Sequence, residues 1–282
     1  LNLYVDSKLS LNIVKPLLLF SMSRVVVVRG MDPSPMVKVG LKYFPKPNFR
    51  KIILKPNLIL DEPPPTTTPI DTVEALVKWY LDGGYEVIVA EGSGWCETFH
   101  AYRRLGYIKL KEVYGVKLVD LNNDEFEVLR DSKALFLKEF EFPLTLKDAY
   151  IVSIPILKEH SITKVTLSLK NMLGATLGER GRVAKKGRFH RKLNESIVDV
   201  NLYLKPSLAV IDGRIAGVGG ELHAKPKELG LMIFSNDLVA ADAVAAKFLG
   251  YDPLKIPHIK LAQEAGLGIA DLSRIEVITE SI

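Results

Sequence analysis

The stretch KIILKPNLILDEPPPTTTPIDTVEALVKWYLDGGYEVIVAEG, Lys51 to Gly92, decides the fold class. Its first six residues, 51–56, are a short run dominated by apolar residues, of strand length. Residues 68–84 place Ile70, Val73, Leu76, Val77 and Tyr80 at the three-and-four spacing of a helix with one core-facing stripe. Thr68 is expected to cap that helix, Pro69 suits its first turn, and Asp71 and Glu74 suit its positive end. Gly83 and Gly84 stop it, and EVIVAEG (86–92) follows as a second buried strand. The connector DEPPPTTTP (61–69) is too short for a flexible interdomain linker. A strand, a helix and a strand that is apolar on both faces make a parallel crossover unit.

The pattern repeats outward. RVVVV (24–28), DAYIVSIPIL (148–157), SLAVIDG (207–213), LGLMIFS (229–235) and RIEVIT (274–279) read as strands. ETFHAYRRLG (97–106), NESIVDVNLYLK (194–205), NDLVAADAVAAKFLG (236–250) and PHIKLAQEAGLG (257–268) read as helices, with Asn194 and Asn236 as caps. The expected architecture is α/β: a largely parallel sheet with helices on both faces, in one domain over 22–282 or two closely packed lobes meeting near 130–147. Residues 1–21 are expected to be an upstream extension. Their apolar run after Lys15 is too short to span a bilayer.

Composition narrows the function classes. The formal net charge is +5 over 282 residues, which permits an anionic partner without requiring nucleic acid. Cys96 is the lone cysteine, so the chain cannot bind a cysteine-ligated iron–sulfur cluster or form an internal disulfide. A cytoplasmic setting is expected. The single glutamine, Gln263, with abundant Lys and Glu, points to a thermophile.

In open parallel sheets ligands bind beyond the carboxyl ends of strands. Asn57 follows the first strand, Gly92, Ser93 and Gly94 follow the second, and Asp212 ends the strand over 207–213. The glycines of EGSGW let backbone N–H groups approach an anion, or form a plain turn. They match neither a dinucleotide-binding fingerprint nor a P-loop. The densest chemistry lies in IPILKEHSITKVTLSLKNMLG (154–174), which sets Lys158, His160, Lys164, Lys170 and Asn171 among apolar residues. As a strand, 164–170 shows its polar residues on one face; as a helix, His160, Lys164 and Asn171 fall nearly in line. Either geometry groups cations with a proton-transferring imidazole. A lysine among apolar and cationic neighbours loses basicity, which suits a base or a carbonyl-attacking amine. His160 and Lys170 are therefore the candidate catalytic pair.

The block ERGRVAKKGRFHRK (179–192) carries Arg180, Arg182 and His190 and reads as a lid over phosphate or carboxylate, a nucleic-acid contact, or a solvated loop. The histidines form no compact metal motif. Asp199, Asp212, Asp237 and Asp242 are candidate oxygen ligands for a divalent metal, although Asp237 and Asp242 read equally well as helix N-terminal charges. The function expected is an enzyme acting on a small anionic organic substrate; the alternative is a nucleotide- or RNA-binding protein using 179–192.

ILKPNL (53–58), residues 66–94, residues 154–174, IDGRIAGVGG (211–220) and NDLVAADAVAAKFLGYDP (236–253) together resemble the family known as domain of unknown function 362. Many relatives in that family append cysteine-rich ferredoxin segments, and this chain lacks those cysteines. A more distant resemblance is to the nickel-pincer lactate racemase family. The order of His160, Lys170 and His190 carries it, and it implies proton or hydride chemistry at a hydroxy-acid carbon.

Overall fold

The computed structural model describes residues 22–179 and 186–282. In chain order these form β1 (Ser23–Arg29), α1 (Pro33–Leu41), β2 (Lys51–Pro56), α2 (Ile70–Asp82), β3 (Glu86–Glu91), α3 (Thr98–Arg104), α4 (Ile108–Tyr114), β4 (Lys117–Asp120) and the hairpin of β5 (Phe126–Arg130) and β6 (Glu139–Pro143). There follow β7 (Tyr150–Ile154), β8 (Ile156–His160), β9 (Lys164–Thr166), α5 (Ser168–Asn171), α6 (Gly187–His190), α7 (Leu193–Leu204), β10 (Leu208–Val218), β11 (Lys225–Ser235), α8 (Leu238–Phe248), α9 (Pro257–Glu264) and β12 (Ile275–Ser281).

The α/β class holds, with a mixed, mostly parallel sheet. Its order is β12-β1-β11-β10-β7-β2-β3-β4, with β8 joined to β10 and β9. Pairings β2–β3, β2–β7, β3–β4, β7–β10, β8–β10 and β1–β12 are parallel. The antiparallel exceptions are β10–β11, β1–β11 and β8–β9. Strands β10 and β11 are separated by only six residues, and so short a connection forces an antiparallel return.

Strand pleating sorts the apolar side chains. Val25, Val27 and Ile53 join one buried cluster with residues of α5, α7, α8 and α9, whereas Val26, Val28, Ile52 and Leu54 join another with residues of α1 and α2. Lys55 has the parity of Ile53.

Several local expectations need correction. The strand expected over 148–157 divides at Pro155, which has no N–H to continue a ladder. Beyond it, β8 pairs with β10 and turns back into β9. The stretch 164–170 is neither all strand nor all helix: it is β9 and then α5. Thr68 does not cap α2. Its hydroxyl donates to Ile154 O and accepts from Asn57 N, tying the Pro-rich connector to β7 and β2. Asp237, one residue beyond the expected Asn236, caps α8 by accepting from Ala240 N. No side chain caps α7, so Asn194 has no such role. The segment near 130–147 contains part of the separate β5–β6 hairpin. Among the described residues no helix is long and apolar enough to cross a membrane. The expected extension over 1–21 lies outside them.

Candidate functional site

From β2 the chain steps to β3 and then β4 in one direction. It returns to β7 on the other side of β2, then continues to β10 the opposite way. The strand order therefore reverses between β2 and β7, the point at which a parallel sheet opens a crevice beyond its strand ends. A cavity of about 350 Å³ lies there. Its walls include Asn57, Gly92, Gly94, Lys158, His160, Lys170, Asn171 and His190.

The wall nearest the sheet is a closed polar network. Buried Lys55 donates to Glu91 Oε2 (2.9 Å), Asn171 Oδ1 (3.0 Å) and Pro56 O (2.6 Å). Glu91 also accepts from the N–H groups of Leu58 and Gly92, each at 2.9 Å. Asn171 returns its amide to Lys55 O and Ser153 Oγ, both at 3.1 Å. Asn171 is thus fully engaged in joining α5 to β2 and β7. Gly174 roofs this pair: a Cβ there would collide with Glu91 Oε1 and lie 2.8 Å from Lys55 Nζ. Asp242 holds α5 in place by accepting from Ser168 N (2.7 Å) and Leu169 N (2.9 Å), and burial raises its carboxyl to about 7.

Among the described residues, the cavity lysines Lys158, Lys170 and Lys186 have no carboxylate at ion-pairing distance. Lys158 Nζ donates, among the described residues, only to the carbonyls of Thr66 (2.7 Å) and Glu221 (2.9 Å). Lys186 Nζ donates to Thr176 O. Lys170, on α5, makes no hydrogen bond or ion pair among the described residues; Glu221 acts on it only at longer range. Burial is the main force on all three. It pushes Lys158 down to about 7, aided by the charge of Lys170, and Lys170 down to about 8 against the pull of Glu221. It pushes Lys186 to about 7 despite attraction from Glu91.

His160 ends β8. Its Nδ1 accepts from the N–H groups of Ile162 (3.1 Å) and Thr163 (3.3 Å), and Glu221 Oε2 lies 3.8 Å away. Those donors assign the ring proton to Nε2. Burial first, and Lys170 second, hold the imidazole well below its ordinary value, so the ring is neutral at pH 7. His190 is lowered by the same causes. Asn57 and Thr166 line the cavity, and their Oδ1 and Oγ1 atoms are shut off from solvent with no hydrogen-bond partner among the described residues.

Not every candidate converges here. The N–H groups of 92–95 are already used: Gly92 donates to Glu91, Ser93 to Thr98 Oγ1 (3.1 Å), and Gly94 and Trp95 to Ile59 O. The turn therefore offers no ready anion nest, and Ser93 is buried off the cavity wall. Gly92 instead leaves room for Lys186 Nζ, 3.0 Å from where a Cβ would stand. Lys164 is exposed in β9 and off the cavity. Asp212 is fully buried elsewhere, bound by Arg214 (2.8 Å) and Thr72 Oγ1 (2.5 Å). Arg180 and Arg182 lie outside the described residues. Residues 187–190 form α6 where a loop was expected. Sequence reasoning missed Lys55, Glu91, Thr166, Lys186 and Glu221. Lys55 did carry a signal, being the ionisable residue inside the apolar strand over 51–56.

The aspartates considered as metal ligands are scattered. Asp199 holds the N–H groups of Leu135, Phe136 and Leu137, and Asp237 and Asp242 cap helices. Among the described residues no group of three or more His, Cys, Asp or Glu is placed to hold a metal ion.

No solved structure matches the chain. The thylakoid-associated protein sll1697 of Synechocystis sp. is 25% identical over 234 residues, covering 81% of this chain and 71% of that protein. Residues 52–247 match the family described as Domain of unknown function (DUF362), and the chain belongs to that family.

Proposed function

We propose that this cavity binds a small anionic organic molecule through its carboxylate or phosphate and carries out proton transfer on it. One observation carries the reading: Lys158, Lys170 and Lys186 meet around one cavity without an ion-paired carboxylate among the described residues. Buried cations without counter-charge destabilise a fold unless a ligand supplies the charge. In the same reading the sheet is covered on both faces, as the two apolar clusters suggest. The cytoplasm of a heat-adapted cell fits the lone cysteine and single glutamine.

The roles follow from protonation. His160 Nδ1 is occupied by backbone donors, so Nε2–H is a hydrogen-bond donor toward a ligand oxygen. A neutral imidazole suits an oxygen on which negative charge develops. Lys170, its basicity lowered by burial, takes a proton from carbon beside that oxygen; returning it on the same side to an adjacent atom isomerises the substrate. Lys158 and Lys186 hold the anionic head. Proton chemistry beside a carboxylate is also what the distant racemase resemblance implies.

The test is hydrogen exchange in D₂O, followed by proton NMR, over a panel of small hydroxy- and oxo-carboxylates. Wild-type protein should exchange the carbon-bound hydrogen of at least one acid, and Lys170→Met should not. Binding without exchange of any member, by wild-type protein, overturns the enzymatic part.

Binding itself should depend on pH. An anion restores Lys158 and Lys186, which hold its head, toward their ordinary values, so complex formation takes up protons between about pH 7 and 10. Sulfate has a fixed charge across this range. Its affinity should fall as pH rises above 7, and calorimetry at pH 8 in buffers of different ionisation enthalpy should register net proton uptake. A pH-independent affinity would count against the lysine assignment.

A further inference from the structure

Charge and apolarity are inverted in this cavity. The ordinary arrangement buries apolar groups and leaves cations at the surface. Here Lys158 and Lys186 are buried inside, while the same wall includes Trp95 and Ile162, which are 66% and 67% exposed. These are the two most exposed large apolar side chains among the described residues. They come from separate loops: Trp95 follows β3, and Ile162 lies in the turn between β8 and β9. Their convergence on one cavity wall does not follow from core packing, since neither is buried. Buried Leu173 and partly buried Ile59 also line this wall.

We propose that the ligand is an anion bearing a bulky apolar body, with its head held by the buried lysines and its body covered by Trp95 and Ile162. An aryl carboxylate or aryl phosphate is the simplest member of the class. The inference rests on the anion-site reading above and adds a substrate class to it. Trp95 supplies a flat face on which a ring stacks, and covering it removes apolar area from water.

The experiment compares phenyl phosphate with inorganic phosphate, and benzoate with acetate, by calorimetry on the full chain. Each aryl anion should bind at least tenfold more tightly than its small counterpart. In a Trp79→Phe background Trp95 is the only tryptophan, and its fluorescence should shift with the aryl anions. Trp95→Ala and, independently, Ile162→Ser should reduce the aryl preference toward unity while leaving phosphate affinity within twofold. Both positions are exposed, and an unchanged melting temperature verifies folding. Equal affinities for aryl and small anions overturn this inference alone. Failure of all four anions to bind overturns it together with the anion-site reading. A Trp95→Ala variant that loses self-association or vesicle binding but keeps the aryl preference also overturns it, because the rim would then serve a macromolecular surface.

Discussion

Lys170→Met should bind sulfate about 100-fold more weakly than the wild-type chain, yet melt at a higher temperature at pH 7. The first effect follows from removing a charge-assisted contact in a partly buried site, worth roughly 2–5 kcal/mol. The second follows from linkage. The ordinary lysine value is 10.5, and burial lowers Lys170 to about 8. Below pH 8 both folded and unfolded chains carry the proton, so the folded state bears the full penalty of a confined charge, on the order of 3 kcal/mol. As pH rises from about 8 to 10.5 the folded state releases its proton first and the penalty disappears. Methionine keeps the length of the stem without the charge, so the variant should lose this part of the rise in stability with pH. Thermal melts from pH 7 to 10, with and without sulfate, measure both effects. A lower melting temperature without sulfate at pH 7 would return Lys170 to the scaffold. A structural pairing with Asp212 is already disfavoured by geometry, because the partner of Asp212 is Arg214.

The sequence made Lys170 legible because a cation in an apolar run needs an explanation. It made β2, α2 and β3 legible because strand and helix periods differ and glycines mark the boundary. It did not reveal that β10 and β11 run antiparallel, since direction depends on connection length and pairing, which apolar runs do not encode. The division at Pro155 was in principle readable, but continuous apolarity on both sides of the proline concealed it. Glu221 was illegible for a different reason. It belongs to the loop between β10 and β11, more than sixty positions from His160, and only folding brings its carboxylate to 3.8 Å from Nδ1. Asp212 shows the converse. A polar residue at a strand end looked like a ligand group, but Arg214, two positions on in the same strand, occupies it. Residue type and strand-end position located the crevice; they did not separate its working cations from its scaffold.

That separation is tested most sharply at Lys55. Unlike Lys170, it has three acceptors within hydrogen-bonding distance, one of them the buried carboxylate of Glu91. Lys55→Met would leave Glu91 with only the N–H groups of Leu58 and Gly92, at 2% exposure. Removing one member of a buried ion pair costs about 3–5 kcal/mol, because the survivor has neither water nor counter-charge. The variant would also remove the ammonium that joins Asn171 to β2, loosening the base of α5, which carries Lys170. Stability should therefore fall by about 3–5 kcal/mol in urea unfolding with an unchanged slope, opposite in sign to Lys170→Met. The double variant Lys55→Met/Glu91→Gln should recover more than half of the loss, because the amide removes the stranded charge. A loss below about 1 kcal/mol in Lys55→Met would mean that Glu91 finds a replacement partner, and Lys186, already attracted to Glu91 electrostatically, is a candidate. With the expected loss of about 3–5 kcal/mol, two lysines lining one cavity would answer the same substitution with opposite changes in stability, and the buried Glu91 carboxylate beside Lys55 is the partner that Lys170 lacks.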